Sequence, residues 1–303
     1  MQMHVNEFFF NKSEERVSDE LEEIAAQNGL RVRAKVRLSD VISKGKTVLT
    51  RREFDFYTRS HCDFLITDRR HRPRFIVEYD GPLHHSDIQK WRDQIKNDLC
   101  QRAGIGLLRI NDKHVTRTYR GMTVLRWIIE VSELEKQFYE AQSKGQIPWD
   151  EPFDPAFVDT GAEKRFPYWL SAEAIDMFHS FFATLDRKTP KGWSGLIGSD
   201  EEGKLYRLSY LYFGGNIIWT KCAIRRQNFE FPESDLLAEI DVCELGLRLA
   251  EFRRGNINAI STQEFRGVAE RFCTRYNATP SFFVGNGSPV NTSWDFERGW
   301  DWR

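Results

Sequence analysis

Between His61 and Tyr79 two short apolar runs, HCDFLIT and FIVEY, flank the turn-rich stretch DRRHRPR. Runs of this length, bounded by Arg, Pro and Asp, read as adjacent strands of a hairpin. Both carry carboxylates. Side chains alternate along a strand, so Glu78 and Asp80 are expected on one face at the end of the second run, with Asp63 of the first run beside them. Like charges held this close, with His84 and His85 following, repel one another and resist burial unless a cation lies between them. The hairpin thus restricts the chain to folds that carry a charge-compensated polar site at a sheet end.

The flanking sequence supplies the other layers. From Ser13 to Asn28 the apolar positions Val17, Leu21, Ile24 and Ala25 recur at helical spacing, with Ser13 as candidate cap and Gly29 as terminator. Arg31 to Leu38 alternates apolar and charged residues, which predicts a half-exposed strand whose outward face (Arg31, Arg33, Lys35, Arg37) is basic. Arg51, Arg52, Arg69, Arg70, Arg72 and Arg74 are expected in loops. A helix from about Ser86 to Ala103, closed by Gly104, a buried strand GLLRIN from Gly106, and a helix over 123–143 complete the first part. The order helix, three strands, helix, strand predicts an α/β sandwich with a central mixed sheet flanked by helices.

GQIPWDEPFDP, from Gly145, clusters three prolines and marks a boundary. The expected organisation is an N-terminal domain over 1–144, a linker over 145–165 and a C-terminal α+β domain over 166–303. Within the last, residues 169–185 and 236–252 read as helices, and 205–213 with 216–224 as a hairpin turning through Gly214 and Gly215. Charge differs between the two parts: 24 Lys and Arg stand against 19 Asp and Glu up to residue 130, and 20 against 26 after it. The basic part is the one that holds the carboxylate hairpin, which points to an anionic partner there.

Five scattered cysteines without a CxxC pair argue for no disulfide framework or zinc finger and for a reducing, cytoplasmic setting. No run has the length of a membrane span, and the polar start MQMHVNEFFFNKSEERV lacks the order of a signal peptide. Walker loop, Rossmann fingerprint and nucleophile elbow are absent from the sequence.

Oxygen-only ligands such as Asp63, Glu78 and Asp80 favour Mg²⁺ or Mn²⁺, which bind phosphate oxygens through their open positions. In WRDQIKNDL, Asp93 and Lys96 share a helix face, so an ammonium can reach the same site, and His84 is a candidate base or acid for chemistry near neutral pH. Those residues together suit hydrolysis of a phosphodiester. Arg33, Lys35 and Arg37 are candidates for contact with a nucleic-acid backbone. The tail NTSWDFERGWDWR, with Trp294, Trp300 and Trp302, reads as an element that docks on its own domain or on a protein partner, with base stacking by its aromatics as the alternative.

The path SEERVSDELEEIAAQNGLRVRAKVRLSDVI, HCDFLITD, FIVEYDGPLH, WRDQIKNDLCQRAGIGLLRIN resembles the PD-(D/E)xK, restriction-endonuclease-like superfamily. More narrowly, residues 8–130 are similar to an uncharacterised bacterial branch close to the very-short-patch-repair-like nucleases. The resemblance implies a metal-dependent nuclease, with DNA as partner, in repair or in defence against phage and mobile elements. It implies Asp63 and Glu78 as principal metal ligands, Glu14 as the first-motif acid with Glu15 as the alternative, His84 ahead of His85, and Arg109 near the active-site edge as a further nucleic-acid contact. Where the superfamily has lysine two residues after the third-motif carboxylate, this chain has Asp80, and Lys96 is the expected substitute. A catalytically inactive nucleic-acid-binding module and an RNA nuclease are the alternatives, and cleavage of both strands by one such site calls for a homodimer.

Overall fold

The computed structural model describes residues 10–81, 87–157 and 168–286. The chain divides into two compact units, one built from residues up to Phe153 together with Gln227–Phe231, the other from the rest. His84, His85, Trp294, Trp300 and Trp302 lie outside the described residues.

The first unit runs α1 (Lys12–Asn28), β1 (Leu30–Arg37), α2 (Leu38–Val41), α3 (Arg51–Arg59), β2 (His61–Asp68), β3 (Pro73–Tyr79), α4 (Asp87–Ala103), β4 (Gly106–Ile110), α5 (Asp112–Thr116), the short pair β5 (Thr118–Tyr119) and β6 (Met122–Thr123), and α6 (Val124–Ser143). It is mixed α/β. The sheet order is β1-β2-β3-β4, with antiparallel pairing except for β4, which lies parallel to β3. A crossover helix is what a parallel pair requires, and α4 supplies it. Leu38, Tyr57, Leu65, Ile76, Ile95 and Leu99 form a continuous core between the sheet and α2, α3 and α4. α1 packs on β1 and α6, with Val17, Leu21, Ile24, Trp127 and Val131 buried. β2 and β3 read as near-continuous apolar runs because both faces of the sheet are covered.

Three local expectations are corrected. α1 is capped by Asn11, not Ser13: Asn11 Oδ1 accepts from the N–H groups of Ser13 and Glu14, and the Glu14 carboxylate accepts from Asn11 N in return. That is a capping box, which satisfies two orphan donors at once. Arg51 and Arg52 open α3, which has its own box from Thr50 and Glu53, and Arg74 lies in β3. Lys35 leaves the strand alternation with φ at +52°, and its position is skipped in the β1–β2 pairing.

Residues 227–231, expected in the C-terminal domain, belong to the first unit instead. Leu107 N donates to Asn228 O, Gln227 makes reciprocal bonds with the backbone of Arg109 (3.0 and 3.2 Å), and Phe229 packs on Phe75 at 4.9 Å. The outer edge of β4 is thereby covered.

The second unit consists of α7 (Ala172–Thr184), β7 (Lys191–Ser199), β8 (Leu205–Phe213), β9 (Asn216–Ile224), α8 (Glu233–Arg253), β10 (Ile260–Ser261), α9 (Thr262–Tyr276) and β11 (Thr279–Asn286). Its sheet is antiparallel in the order β10-β9-β8-β7-β11. Phe178, Leu211, Ile218, Leu245 and Leu249 form a core with α7 and α8, while Leu196, Leu208, Tyr210, Phe265 and Phe272 form another with α9. A methyl at Gly198 would collide with the Tyr276 carbonyl and Ala278, so glycine is required where β7 meets the end of α9.

Two acids in α8 tie this unit to pH. Burial raises Glu239 to about 7, against the pull of the Ser171 N–H and hydroxyl that donate to it, and raises Asp241 to about 6 beside Arg207. A carboxyl whose folded value lies above its unfolded one contributes stability that is present in full below about pH 4 and is lost as the pH rises through the folded value. Acids held low, such as Glu53 and Asp68, are already ionised in that window. The midpoint of thermal unfolding of the second unit should therefore fall between pH 5 and pH 8, and Glu239→Gln should flatten the slope. A midpoint that rises over the same range would refute this assignment.

Candidate functional site

The β2–β3 ladder ends at the Phe64–Val77 pair, and beyond it side chains take over its hydrogen bonds. Glu78 Oε1 accepts from Asp63 N (3.2 Å), and Asp63 Oδ2 accepts from Tyr79 N (3.0 Å). Each carboxylate is thus fixed by a backbone N–H of the opposite strand. Its second oxygen is left to a cation.

For Glu78 that cation is Lys96 of α4, whose Nζ lies 2.6 Å from Oε2 and also donates to the His61 carbonyl at 3.0 Å. Glu78 and Lys96 are 7% and 8% exposed, so the pair is desolvated. Burial pushes the Glu78 carboxyl up, and the Lys96 ammonium opposes that push. For Asp63 the cation is Lys35, with Nζ 2.8 Å from Asp63 Oδ1 and 2.6 Å from Glu14 Oε1. Desolvation acts to lower the Lys35 ammonium, yet the two carboxylates outweigh it and the shift is upward. Its left-handed backbone, which costs on the order of 1 kcal/mol for a non-glycine residue, aims the side chain between α1 and β2.

Arg109 of β4 stands across from Glu78 in the sheet and forms a second centre. Its guanidinium reaches Asp80 (3.2 Å), Asp93 (3.1 Å) and Asn97 Oδ1 (3.2 and 3.3 Å). The sheet end, α4 and β4 are clamped together through this one side chain.

The expected residues are therefore distributed as follows. Glu14, Asp63, Glu78 and Lys96 share one charge-alternating cluster in which Lys35 is the further member. Asp80 follows the last residue of β3 and is held by Arg109, and Asp93 is the partner of Arg109 rather than of Lys96. Among the described residues there is no grouping of three or more His, Cys, Asp or Glu side chains arranged to hold a metal ion. Of the basic residues expected at a nucleic acid, Arg109 is 5% exposed with its donors spent on the clamp, and the Lys35 ammonium pairs with two carboxylates. Arg33 and Arg37 are exposed, and Arg33 lies 3.2 Å from His71 Nδ1. Glu14 is placed as a site residue by the family resemblance alone, since the N-x-x-E box around it signals a helix start and not a site. Lys35 had no signal of its place, because a positive φ breaks the period on which strand reading rests.

A mixed α/β domain with a buried acid–base cluster at its sheet end is the class that this geometry defines. The uncharacterised protein y4bI of Sinorhizobium fredii is 30% identical over 105 residues, which make up 33% of this chain and 71% of that protein, and the chain belongs to the same family. Residues 6–124 match a family model described as "Protein of unknown function (DUF2726)". An uncharacterised protein of Haemophilus influenzae is 33% identical over 52 residues, and the chain spans only 27% of that protein's length. No solved structure matches the chain. Among the described residues, no helix is long and apolar enough to cross a membrane.

Proposed function

We propose that the first unit is a metal-dependent nuclease with a restriction-endonuclease-like core, acting on DNA. The observation that carries this reading is the gathering of Glu14, Asp63, Glu78 and Lys96, from one helix, two adjacent strands and the crossover helix, at one end of the sheet. The element order and the parallel β3–β4 pair support it as well.

The donor chemistry fits a hard divalent cation. Lys35 Nζ already sits within 3 Å of carboxylate oxygens from both Glu14 and Asp63, so two hard oxygens converge on one positive charge. Asp63 and Glu78 would hold Mg²⁺ or Mn²⁺, with Glu14 beside them and Asp80 supporting from the Arg109 clamp. Such an ion supplies acidification of water and neutralisation of charge growing on the phosphate. Asp63 and Glu78 are oriented for that task by the N–H groups of Tyr79 and Asp63. Lys96 holds Glu78 in place and keeps a positive charge next to the scissile phosphate.

The test is cleavage of supercoiled DNA, single-stranded DNA and RNA with Mg²⁺ or Mn²⁺, wild type beside Asp63→Ala and Glu78→Ala, with an EDTA control. Metal-dependent cutting lost by at least about a hundredfold in both variants is expected. A second reading, a nucleic-acid-binding module without catalysis, is favoured by one observation: Glu14, Asp63 and Glu78 already face a protein cation. Binding without cutting under either metal, unchanged in both variants, would establish it in place of the nuclease.

A further inference from the structure

Beside Lys96 the first unit has a cavity of about 870 Å³ between α3 and α4. Its aromatic wall is Phe56 and Trp91, packed edge to face with ring centroids 6.3 Å apart. Trp91 remains 42% exposed, a large apolar surface to leave in water at the rim of a cavity. Arg52, Arg59 and Arg92 also line the space, are exposed, and meet no carboxylate in an ion pair among the described residues. Of the two acids on the wall, Asp93 is taken by Arg109, which leaves Asp55 against three arginines.

An indole face next to uncommitted guanidinium groups is complementary to one class of ligand: a planar, polarisable ring joined to phosphate. A nucleotide is such a ligand, and the volume lies within the range of about 300–1,000 Å³ common to ligand sites. Stacking on Trp91 requires a base whose face is free. Inside a duplex both faces are covered by neighbouring pairs, and a base enters a pocket only when it is unpaired or extruded.

We infer that this cavity is a binding subsite for an unpaired nucleotide of a polynucleotide strand, with the base on Trp91 and the flanking phosphates on Arg52, Arg59 and Arg92. Lys96 lines the cavity and also bonds Glu78. The subsite therefore lies one side chain, Lys96, from the proposed catalytic carboxylate, and a base held here would carry an adjoining phosphodiester toward Glu78 and Asp63. The inference rests on the nuclease reading for that last step. It narrows the substrate to single strands, or to duplexes that carry a loose end, flap or bulge.

The test is fluorescence anisotropy in EDTA, where cleavage cannot occur, with full-length protein and labelled oligothymidylate, oligouridylate and a hairpin duplex of matching length. Both single strands should bind about tenfold or more tighter than the duplex, and the stronger of the two identifies DNA or RNA as the source. Trp91→Ala should weaken single-strand binding about tenfold, and Trp91→Phe should keep most of it. Arg59→Ala should reduce the slope of log affinity against log salt by about 0.7, the value for one single-strand phosphate contact. Trp91 is exposed, so equal melting temperatures are expected for wild type and variant. Equal or tighter binding of the duplex, or a Trp91→Ala variant that binds as wild type does, overturns the subsite. The two readings fail separately: Trp91-dependent binding without any cleavage leaves the subsite and removes the nuclease, and cleavage indifferent to Trp91 does the reverse.

Discussion

Lys96→Met is expected to lower the stability of the first unit by about 3–5 kcal/mol, the cost of leaving a buried charge without its partner. Glu78 is the charge in question: it is 7% exposed, its Oε1 is taken by the Asp63 N–H, and its Oε2 has Lys96 2.6 Å away. Methionine preserves the unbranched stem, so little of the loss comes from packing. Glu78→Gln together with Lys96→Met should recover most of the loss, because an apolar or neutral replacement of both members of a buried pair is often nearly neutral. Urea unfolding of the two single variants and the double variant completes the cycle. A single Lys96→Met cost below about 1 kcal/mol would show that the ammonium is not compensating Glu78. The same variants separate structure from chemistry, since the double variant should fold well and still be unable to cleave.

Arg109→Met is the second large effect, at about 3 kcal/mol, near the lower end for a broken buried pair because Asp80 and Asp93 keep some contact with water. Arg109→Lys should recover less than half of it. A guanidinium donates in a fixed fork to Asp80, Asp93 and Asn97 at once, whereas an ammonium is a single point of charge on a shorter, flexible stem. Hydrogen exchange read along α4 and at the end of β3 checks the location: both segments should open more readily in Arg109→Met, and α1 should not. Protection lost evenly over the unit would mean that Arg109 is not a local clamp.

The parts of the fold legible in the sequence are those whose period is undisturbed. α1, the β2–β3 hairpin, α6 and the β8–β9 hairpin follow from apolar spacing and from the turn residues between them. α3 is hidden by its composition, RREFDFYTR, in which charge alternates with aromatics, and only the T-x-x-E box before it announces a helix. β7 is hidden because KGWSGLIGS reads as a loop, although its Gly198 is dictated by the close approach of the end of α9 and not by a turn. In the site, the positions of Asp63 and Glu78 follow from strand alternation, whereas Asp80 departs from it because β3 ends one residue earlier and Arg109 offers a stronger attraction. Arg109 stands in a run that reads as a buried strand, but nothing in the sequence names its partners. That it is buried depends on α4 bringing Asp93 and Asn97 over it, a tertiary fact with no local signature.

The return of residues 227–231 to the first unit gives the fold a temporal order. Chains emerge from the ribosome from the N-terminus, and domains generally close as soon as their last element is out. Here β4 is synthesised long before Gln227 and Asn228, the residues that pair with its outer edge. Until they appear, a nascent chain holds an open strand edge of the kind that recruits other strands. Residues 154–226, with most of the second unit's sheet, are made during that interval. The two units therefore mature together: the first is begun before the second and finished only after much of the second has been made.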